Sequence, residues 1–98
     1  MTQLTSAQRT RLKSLAHHLD PVVIVGKQGV TDNVIDAAQA SLAAHELIKV
    51  RFNDFKEEKK TLAPEIAARS EAHLVGIIGH VAILYKEHPD PEKRRIKL

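Results

Sequence analysis

The sequence predicts an α/β fold of the α+β-like, two-layer kind, in which three helices pack on a four-stranded mixed sheet. Segments with apolar residues at helical spacing alternate along the chain with short β-branched or alternating apolar runs. The last two runs are separated only by Gly79-His80, which is typical of a tight antiparallel hairpin. The predicted order is α-β-α-β-α-β-β, with parallel pairs and right-handed crossovers in the strand–helix–strand units. The strand order of the sheet stays open.

The first helix is expected to begin after Thr5 and to end near Leu19. Thr5 and Gln8 have the three-residue spacing of a capping box. Pro21 disfavours the α region for the residue before it, Asp20, and so sets the end of the helix. One helix face is apolar and carries Leu12, Leu15, Ala16 and Leu19. Another face is basic and carries Arg9, Lys13 and His17, each four residues from the next.

A glycine loop follows the first predicted strand, residues 21–25, whose unbroken apolar run indicates burial on both faces. The loop is Gly26-Lys27-Gln28-Gly29, and a second helix capped by Thr31 or Asp32 comes directly after it. Glycine allows close backbone approach, and the first amides of a helix have no intrahelical partner. Lys27 adds a full positive charge. This stretch therefore predicts an anion-binding loop at a helix N-terminus.

The second helix is expected to end near His45-Glu46, and residues 47–53 form the second predicted strand. Its apolar residues alternate with charged ones, which indicates one buried face and one wet, basic face. The buried face carries Ile48, Val50 and Phe52, and the basic face carries Lys49 and Arg51. Next to a basic loop, such a face is a candidate for phosphate contact.

Pro64 leaves two alternatives for the third helix. Either Thr61 caps a helix that begins at Leu62, which we favour, or a longer helix from about Glu57 is kinked. The lysines before this helix are expected to be solvated, because Glu57 and Glu58 offset their charge locally. These lysines are Lys56, Lys59 and Lys60.

Two strands, residues 73–78 and 81–86, then enclose the hairpin turn. The chain closes with residues 89–98, a basic tail whose order the sequence leaves open and which could add nonspecific affinity for a polyanion. Its charges come from Lys93, Arg94, Arg95 and Lys97. With 98 residues in total, a single domain with one modest core is expected.

Composition narrows the functional classes. The chain has no cysteine, which excludes disulfides and thiolate metal sites and favours a cytoplasmic protein. It has no apolar run of about 18 residues, so no membrane partner is expected. The net charge of +3 allows a polyanion as a partner. The aromatic residues are only Phe52, Phe55 and Tyr85, which argues against base stacking on an aromatic sheet.

No catalytic or metal-binding pattern stands out. No two histidines are four residues apart, and the adjacent His17 and His18 point about 100° apart on a helix. The serines of the predicted helices have no matched base and acid, and the glycine loop is neither a Walker A nor a dinucleotide motif. We therefore expect no enzyme activity, no metal, no cofactor and no small-molecule substrate.

Several blocks of the chain, in this order and at this spacing, resemble one known family. They are residues 12–19, 21–35, 46–51, 78–80 and 84–86. The sequence is similar to the YhbY-type single-domain proteins of the CRM class (chloroplast RNA splicing and ribosome maturation). The similarity covers nearly the whole chain and is far more specific than an isolated Gly-x-x-Gly.

The resemblance implies a CRM RNA-binding domain over residues 1–88, with the tail at 89–98. It implies a fold like the C-terminal domain of bacterial translation initiation factor three. It also implies association with ribosomal RNA in precursors of the large ribosomal subunit. Gly26-Lys27-Gln28-Gly29 matches the family's Gly-x-x-Gly signature. Gln28 stands where the family commonly has a small residue, and Pro64 interrupts the third helix.

The leading hypothesis is a monomeric, non-enzymatic RNA-binding module that contacts ribosomal RNA through the phosphate backbone. Its candidate contact residues are Gly26, Lys27, Gln28, Gly29, Thr31, Lys49, Arg51, Arg9, Lys13 and His17. A second hypothesis is an adaptor that docks on a ribosomal protein or assembly factor, through the apolar face of strand four or through Phe55. A nucleotide-binding enzyme is a weaker third.

Overall fold

Residues 3–98 are described by a computed structural model, and over this range the predicted order of three helices and four strands is confirmed. The elements are α1 (Ser6–Ala16), β1 (Val23–Val25), α2 (Asp32–His45), β2 (Leu47–Phe52), α3 (Lys59–Arg69), β3 (His73–Ile78) and β4 (Val81–Tyr85), followed by a short 3-10 helix (Pro91–Lys93). No helix in this range has the length and apolar character that a membrane crossing requires.

The strands form a single mixed sheet in the order β1-β2-β4-β3. β1 and β2 are parallel, as expected for two strands joined by a helix, and β4 is antiparallel to both of its neighbours. β3 therefore runs parallel to β2, but β4 lies between them. The hairpin turn is confirmed, with Gly79 in the left-handed region at φ 58°.

Helices cover both faces of the sheet. α2 and α3 pack on one face, and the larger core there includes Val25, Ile48 and Phe52. This is the predicted two-layer arrangement. On the other face, α1 adds a partial further layer over a smaller cluster that includes Leu12 and Tyr85. The alternation of β2 explains the division, because successive side chains point to opposite faces.

β1 differs from its prediction in length and in burial. It spans three residues rather than five, and it is an edge strand. Val23 and Val25 point into the core, whereas Val22 and Ile24 are 51% and 52% exposed. The expectation of burial on both faces is therefore wrong, because α1 does not extend over this edge of the sheet.

α1 begins as predicted, with Thr5 and Gln8 forming the complete capping box. It ends at Ala16, earlier than expected, and a turn follows in which the Leu19 N–H donates to the Ala16 carbonyl at 2.9 Å. Leu12 and Ala16 are buried, but Leu15 and Leu19 are exposed. Only half of the predicted apolar stripe therefore belongs to the core.

α3 begins at Lys59, so the favoured start at Leu62 is wrong. Thr61 does not cap the helix. Its N–H and that of Leu62 both donate to the Glu58 carbonyl, at 2.9 Å each. Pro64 lies inside the helix, where it cannot donate to the carbonyl four residues earlier, and its side chain is exposed.

The basic tail packs against the domain through Glu46, a carboxylate that is only 1% exposed. Glu46 ends α2 with a left-handed φ of 63°. Its oxygens accept the backbone N–H groups of His88 at 2.9 Å and Ile96 at 3.2 Å, and that of Arg95 as well. Burial raises the pKa of Glu46, but these three donors outweigh it and hold the pKa below the ordinary value of a glutamate.

Candidate nucleic-acid interface

The glycine loop is a tight turn that projects Lys27 and Gln28 into solvent. The Gly29 N–H donates to the Gly26 carbonyl at 3.0 Å, which closes the turn. Gly29 is buried with φ 75°, a conformation that favours glycine. The loop therefore presents Lys27, a cation on a long and flexible side chain, at the corner of a backbone turn whose conformation is fixed.

The loop leads directly into the N-terminus of α2. The Thr31 N–H donates to the Gly29 carbonyl at 3.1 Å, and the Thr31 hydroxyl accepts from the Val34 N–H at 3.2 Å. Thr31, rather than Asp32, is thus the N-cap. The positive end of the helix dipole and its first amides lie beside Lys27, which is the arrangement of an anion site.

Asp32 places a negative charge in this first turn, which would disfavour a phosphate nearby. Its carboxylate forms an ion pair with Arg69 of α3 at 2.8 Å. Both side chains are exposed at the surface, so the pair adds little stability. It does offset the Asp32 charge at the mouth of the loop.

An open groove of about 580 Å³ lies next to the loop. It is lined by Lys27 and by the segment between β2 and α3, residues 53–58. The Asn53 and Asp54 N–H groups both donate to the Val25 carbonyl, at 3.0 and 3.3 Å, and so hold this segment against the loop. The ring of Phe55 covers Gly29.

Three of the other candidates come together in a second groove, of about 210 Å³, on the α1 face of the sheet. Lys13 of α1 and His17, the residue that follows this helix, line it together with Lys49 of β2. The Lys13 side chain crosses β3 at Gly76, where a Cβ would lie only 2.7 Å from Lys13 Cε. The glycine at 76 thus makes room for this lysine.

Arg51 lies at the end of β2 that is nearest to the glycine loop. It lies opposite Ile24 in the parallel register, one residue before the end of β1 and the start of the loop, and its side chain is exposed. From the loop, Arg51 and then Lys49 lead along β2 towards His17. The structure therefore places Arg51 at the loop end of β2, and it gathers Lys13, His17 and Lys49 around the groove on the α1 face.

Arg9 has a different position. Its Nη1 donates to the carbonyl oxygens of Leu74 at 2.6 Å and Val75 at 3.2 Å. These carbonyls lie where the pairing of β3 with β4 shifts register between Leu74 and Gly76. The guanidinium thus stabilises a β-bulge, and part of its donor capacity is used within the protein.

Sequence reasoning missed a cationic cluster at the hairpin turn. Lys59 Nζ donates to the Gly79 carbonyl at 2.6 Å and lies 3.1 Å from His80 Nδ1, so its expected plain solvation is wrong. Desolvation of the His80 ring, together with the positive charges of Lys59, Lys56 and Arg51, lowers the pKa of His80. Part of this cluster could have been predicted from the sequence, because the hairpin and the glycine loop lie at the same end of the sheet.

The described residues hold no cluster of three or more His, Cys, Asp or Glu side chains that could bind a metal ion. His17 and His18 form an edge-to-face pair, with ring centroids 5.2 Å apart. The apolar face of β4 is buried within the sheet, so the predicted adaptor surface on that strand is wrong. The surface around the glycine loop carries exposed cations and carboxylates, backbone amides and the ring of Phe55.

Comparison with known proteins gives a consistent result. A sequence model of the CRS1 / YhbY (CRM) domain matches residues 4–86. The chain is 42% identical to the probable RNA-binding protein YqeI of Bacillus subtilis, over 97% of this chain and 98% of that protein. It is 38% identical to a probable RNA-binding protein of Pseudomonas aeruginosa, over 92% of this chain and 88% of that one. It resembles the solution structure of a Staphylococcus aureus protein with a TM-score of 0.79, 34% identity, 97% coverage of this chain and 100% of that chain.

Proposed function

The chain belongs to the CRS1/YhbY (CRM) family, and on that basis we propose that it is a non-enzymatic RNA-binding protein that contacts the RNA backbone through residues 26–29. The observation that carries the proposal is the geometry of this loop. A glycine turn presents an exposed Lys27 beside the N-terminus of α2. Backbone amides, a helix dipole and an ammonium group then converge on one place, which suits a phosphate.

The basic residues of the α1 face extend this contact. Arg51 lies next to the loop, and Lys49, Lys13 and His17 follow it across the sheet. Basic side chains spaced along a surface suit the successive phosphates of a structured RNA, whose backbone is recognised by shape and charge. Arg9 contributes by holding β3, and its direct contact with RNA stays a prediction.

We further propose that the RNA is ribosomal and that the protein acts as a cytoplasmic monomer on precursors of the large ribosomal subunit. Membership of the family supports this assignment. This assignment specifies which RNA is bound. Crosslinking in cells, followed by sequencing of the attached RNA, tests it. Crosslinks confined to messenger RNA would contradict it.

Filter binding of the purified protein to protein-free ribosomal RNA tests the core of the proposal. Lys27→Ala is expected to weaken binding and to lower the slope of log K against log salt by about one counterion, because one phosphate contact is lost. Titrations at several salt concentrations between about 50 and 200 mM give this slope.

Arg11→Ala is the matched control, because it removes one exposed charge from the flank of α1 opposite Lys13. This variant should keep the wild-type slope. An unchanged slope in Lys27→Ala would remove Lys27 from the phosphate contact. Absence of binding to free RNA, together with co-sedimentation with ribosomal particles, would favour the adaptor hypothesis.

An adaptor would have one surface available at the opposite end of the sheet. There, an apolar groove of about 430 Å³ is lined by Leu15, Leu19 and Val22 of the α1–β1 region and by Ile96 of the tail. Because this groove and the glycine loop lie at opposite ends of β1, docking of a protein partner and RNA binding can be tested separately. Substitution of Leu19 would therefore affect an adaptor without changing the salt slope for RNA.

A further inference from the structure

Phe55 presents an aromatic ring to solvent beside the glycine loop. The other two Phe or Tyr residues of the chain, Phe52 and Tyr85, are buried in the core, whereas Phe55 is 40% exposed. Its Cε2 lies 3.4 Å from the place that a Cβ on Gly29 would occupy. One edge of the ring therefore rests on the loop, and the exposed part of the ring is accessible to a ligand.

The backbone of Phe55 is left-handed, with φ 57°. A bulky residue rarely adopts this conformation, and such outliers concentrate at functional sites. Burial in the core does not account for it, since Phe55 is partly exposed and belongs to neither of the two core clusters. The conformation does turn the chain between β2 and α3, where the Glu58 N–H donates to the Phe55 carbonyl at 3.1 Å.

The groove around Phe55 has the chemical composition that suits a nucleotide rather than a bare phosphate. Lys27 and Lys56 contribute two positive charges to its lining, and three carboxylates and one amide contribute oxygen acceptors, from Asp54, Glu57, Glu58 and Asn53. Those carboxylates would repel a phosphate within the groove. They could instead accept hydrogen bonds from the amino and imino groups of a base that lies on the aromatic ring.

We propose that Phe55 stacks against an unpaired base of the RNA whose backbone is held by residues 26–29. This inference rests on the proposed function and deepens it, because it defines the substrate class. The protein would prefer RNA with a single-stranded or bulged nucleotide at the loop over a continuous duplex, in which the bases are stacked on one another. Sparse aromatic residues do not prevent this, since a single platform is sufficient for a single base.

Fluorescence gives a direct test, because the chain contains no tryptophan. In Phe55→Trp, the one indole would report the site. Titration with a short single-stranded oligoribonucleotide should quench it saturably. The same oligonucleotide with abasic positions, or annealed to its complement, should quench much less. Equal quenching by all three would overturn the inference, and so would saturable quenching by a free mononucleotide at the same concentration.

Affinity measurements supply a second readout. Phe55→Leu keeps an apolar contact with Gly29 and imposes a similar backbone strain, but it removes the aromatic face. We expect a loss of about 5- to 150-fold in affinity for the base-bearing RNA, the range of base–aromatic stacking, and little change for the abasic RNA. Phe55→Tyr should retain the wild-type affinity. Equal losses on both RNAs would overturn the stacking role.

The two proposals fail in different ways. If the wild-type protein binds RNA with a salt slope that depends on Lys27, and Phe55→Leu binds both RNAs like the wild type, only the stacking inference is overturned. If the wild-type protein does not bind RNA, the proposed function itself is wrong, and the stacking inference with it. Thermal unfolding of each variant shows that the fold is intact.

Discussion

The two glycines of the loop differ in what the fold requires of them. Gly29 has φ 75° and touches the Phe55 ring, so a side chain there is strained. Gly26 has no positive φ, and a Cβ added to it would meet nothing within 4 Å. The fold therefore needs glycine at 29 but not at 26, and a requirement for glycine at 26 would come from a ligand.

Gly26→Val is thus expected to leave stability within about 0.5 kcal/mol of the wild type, as for an unconstrained surface position. It should weaken RNA binding about tenfold or more, because the added side chain keeps a phosphate from the backbone amides. Thermal unfolding and filter binding measure the two effects.

Gly29→Ala is the contrasting variant. It should lower the free energy of unfolding by about 1 kcal/mol, because residue 29 has a left-handed backbone conformation that is unfavourable for a residue with a Cβ. Wild-type RNA affinity in Gly26→Val would show that the ligand does not approach the backbone at this position.

At the residue scale, sequence reasoning found features with local causes and missed those with distant ones. Lys27 and Thr31 were predicted from their neighbours, and the structure places them at the loop and the helix cap. From the local sequence alone, Glu46 would be expected to be an exposed acid at the end of a helix. Its donors are 42, 49 and 50 residues away, so no local pattern announces its burial. The left-handed φ of Phe55 likewise depends on tertiary context.

Among the elements, α3 shows how tertiary packing overrides a local rule. Proline is unfavourable in a helix interior, and this led to the wrong start at Leu62. The helix nevertheless begins at Lys59, because Ala63, Ile66 and Ala67 are buried against the sheet and compensate for the lost hydrogen bond. Pro64 itself faces solvent, which leaves its ring free of clashes with the core.

Pro64→Ala is therefore expected to stabilise the protein by about 1–3 kcal/mol, because it restores a backbone hydrogen bond to Lys60 and improves helix propensity. Part of the gain is offset by the greater freedom of the unfolded chain. Denaturant unfolding measures the change, and RNA binding should be unaffected. A loss of stability would show that Pro64 has a packing role.

α1 illustrates the opposite case, in which the apolar periodicity identified the helix but assigned too many residues to its buried face. The capping box and the buried pair Leu12 and Ala16 were predicted, and both are present. Leu15 and Leu19 have the same spacing in the sequence, but the helix ends at Ala16 and they border a groove instead. Where a helix ends relative to the sheet edge depends on the sheet, which the local sequence does not describe.

At the scale of the whole molecule, the order of the elements predicted the parallel β1–β2 pair and the antiparallel β3–β4 hairpin, but not the strand order. The parallel pair expected for β2 and β3 does not form, because β4 lies between these strands. The sequence gives no sign that β4 pairs with β2 as well as with β3. The packing of the tail was left open for the same reason, since it depends on the buried Glu46. Long-range pairing decides both features.

The Glu46 contact gives the whole molecule a defined response to acid. Its pKa is lower in the folded protein than in the unfolded chain, so its stabilisation is complete above about pH 4.5 and is lost as the pH falls through the folded pKa. Glu46→Gln should cost about 1–3 kcal/mol near pH 7, because a neutral amide oxygen accepts the three N–H groups less well.

Unfolding of both proteins from about pH 3 to about pH 7 measures this dependence. The difference between wild type and Glu46→Gln should shrink as the pH falls below about 4.5, because the carboxylate is protonated first in the unfolded chain and, at lower pH, in the folded protein as well. A difference that stays constant across this range would show that the charge of Glu46 does not contribute. Glu92→Gln, an exposed acid in the 3-10 helix, is the control.

The central position of β4 has a consequence for how the protein folds. β1 and β2 are joined by one helix and can pair as soon as residue 52 is available, whereas β3 has no neighbour until β4 arrives. During synthesis, β1 and β2 can therefore pair early and hold the glycine loop between β1 and α2. The sheet closes only when residues 81–85 have emerged from the exit tunnel. The carboxylate of Glu46 accepts from the Ile96 N–H, which lies 50 residues further along the chain and beyond the last strand. Packing of the tail against the domain therefore follows closure of the sheet.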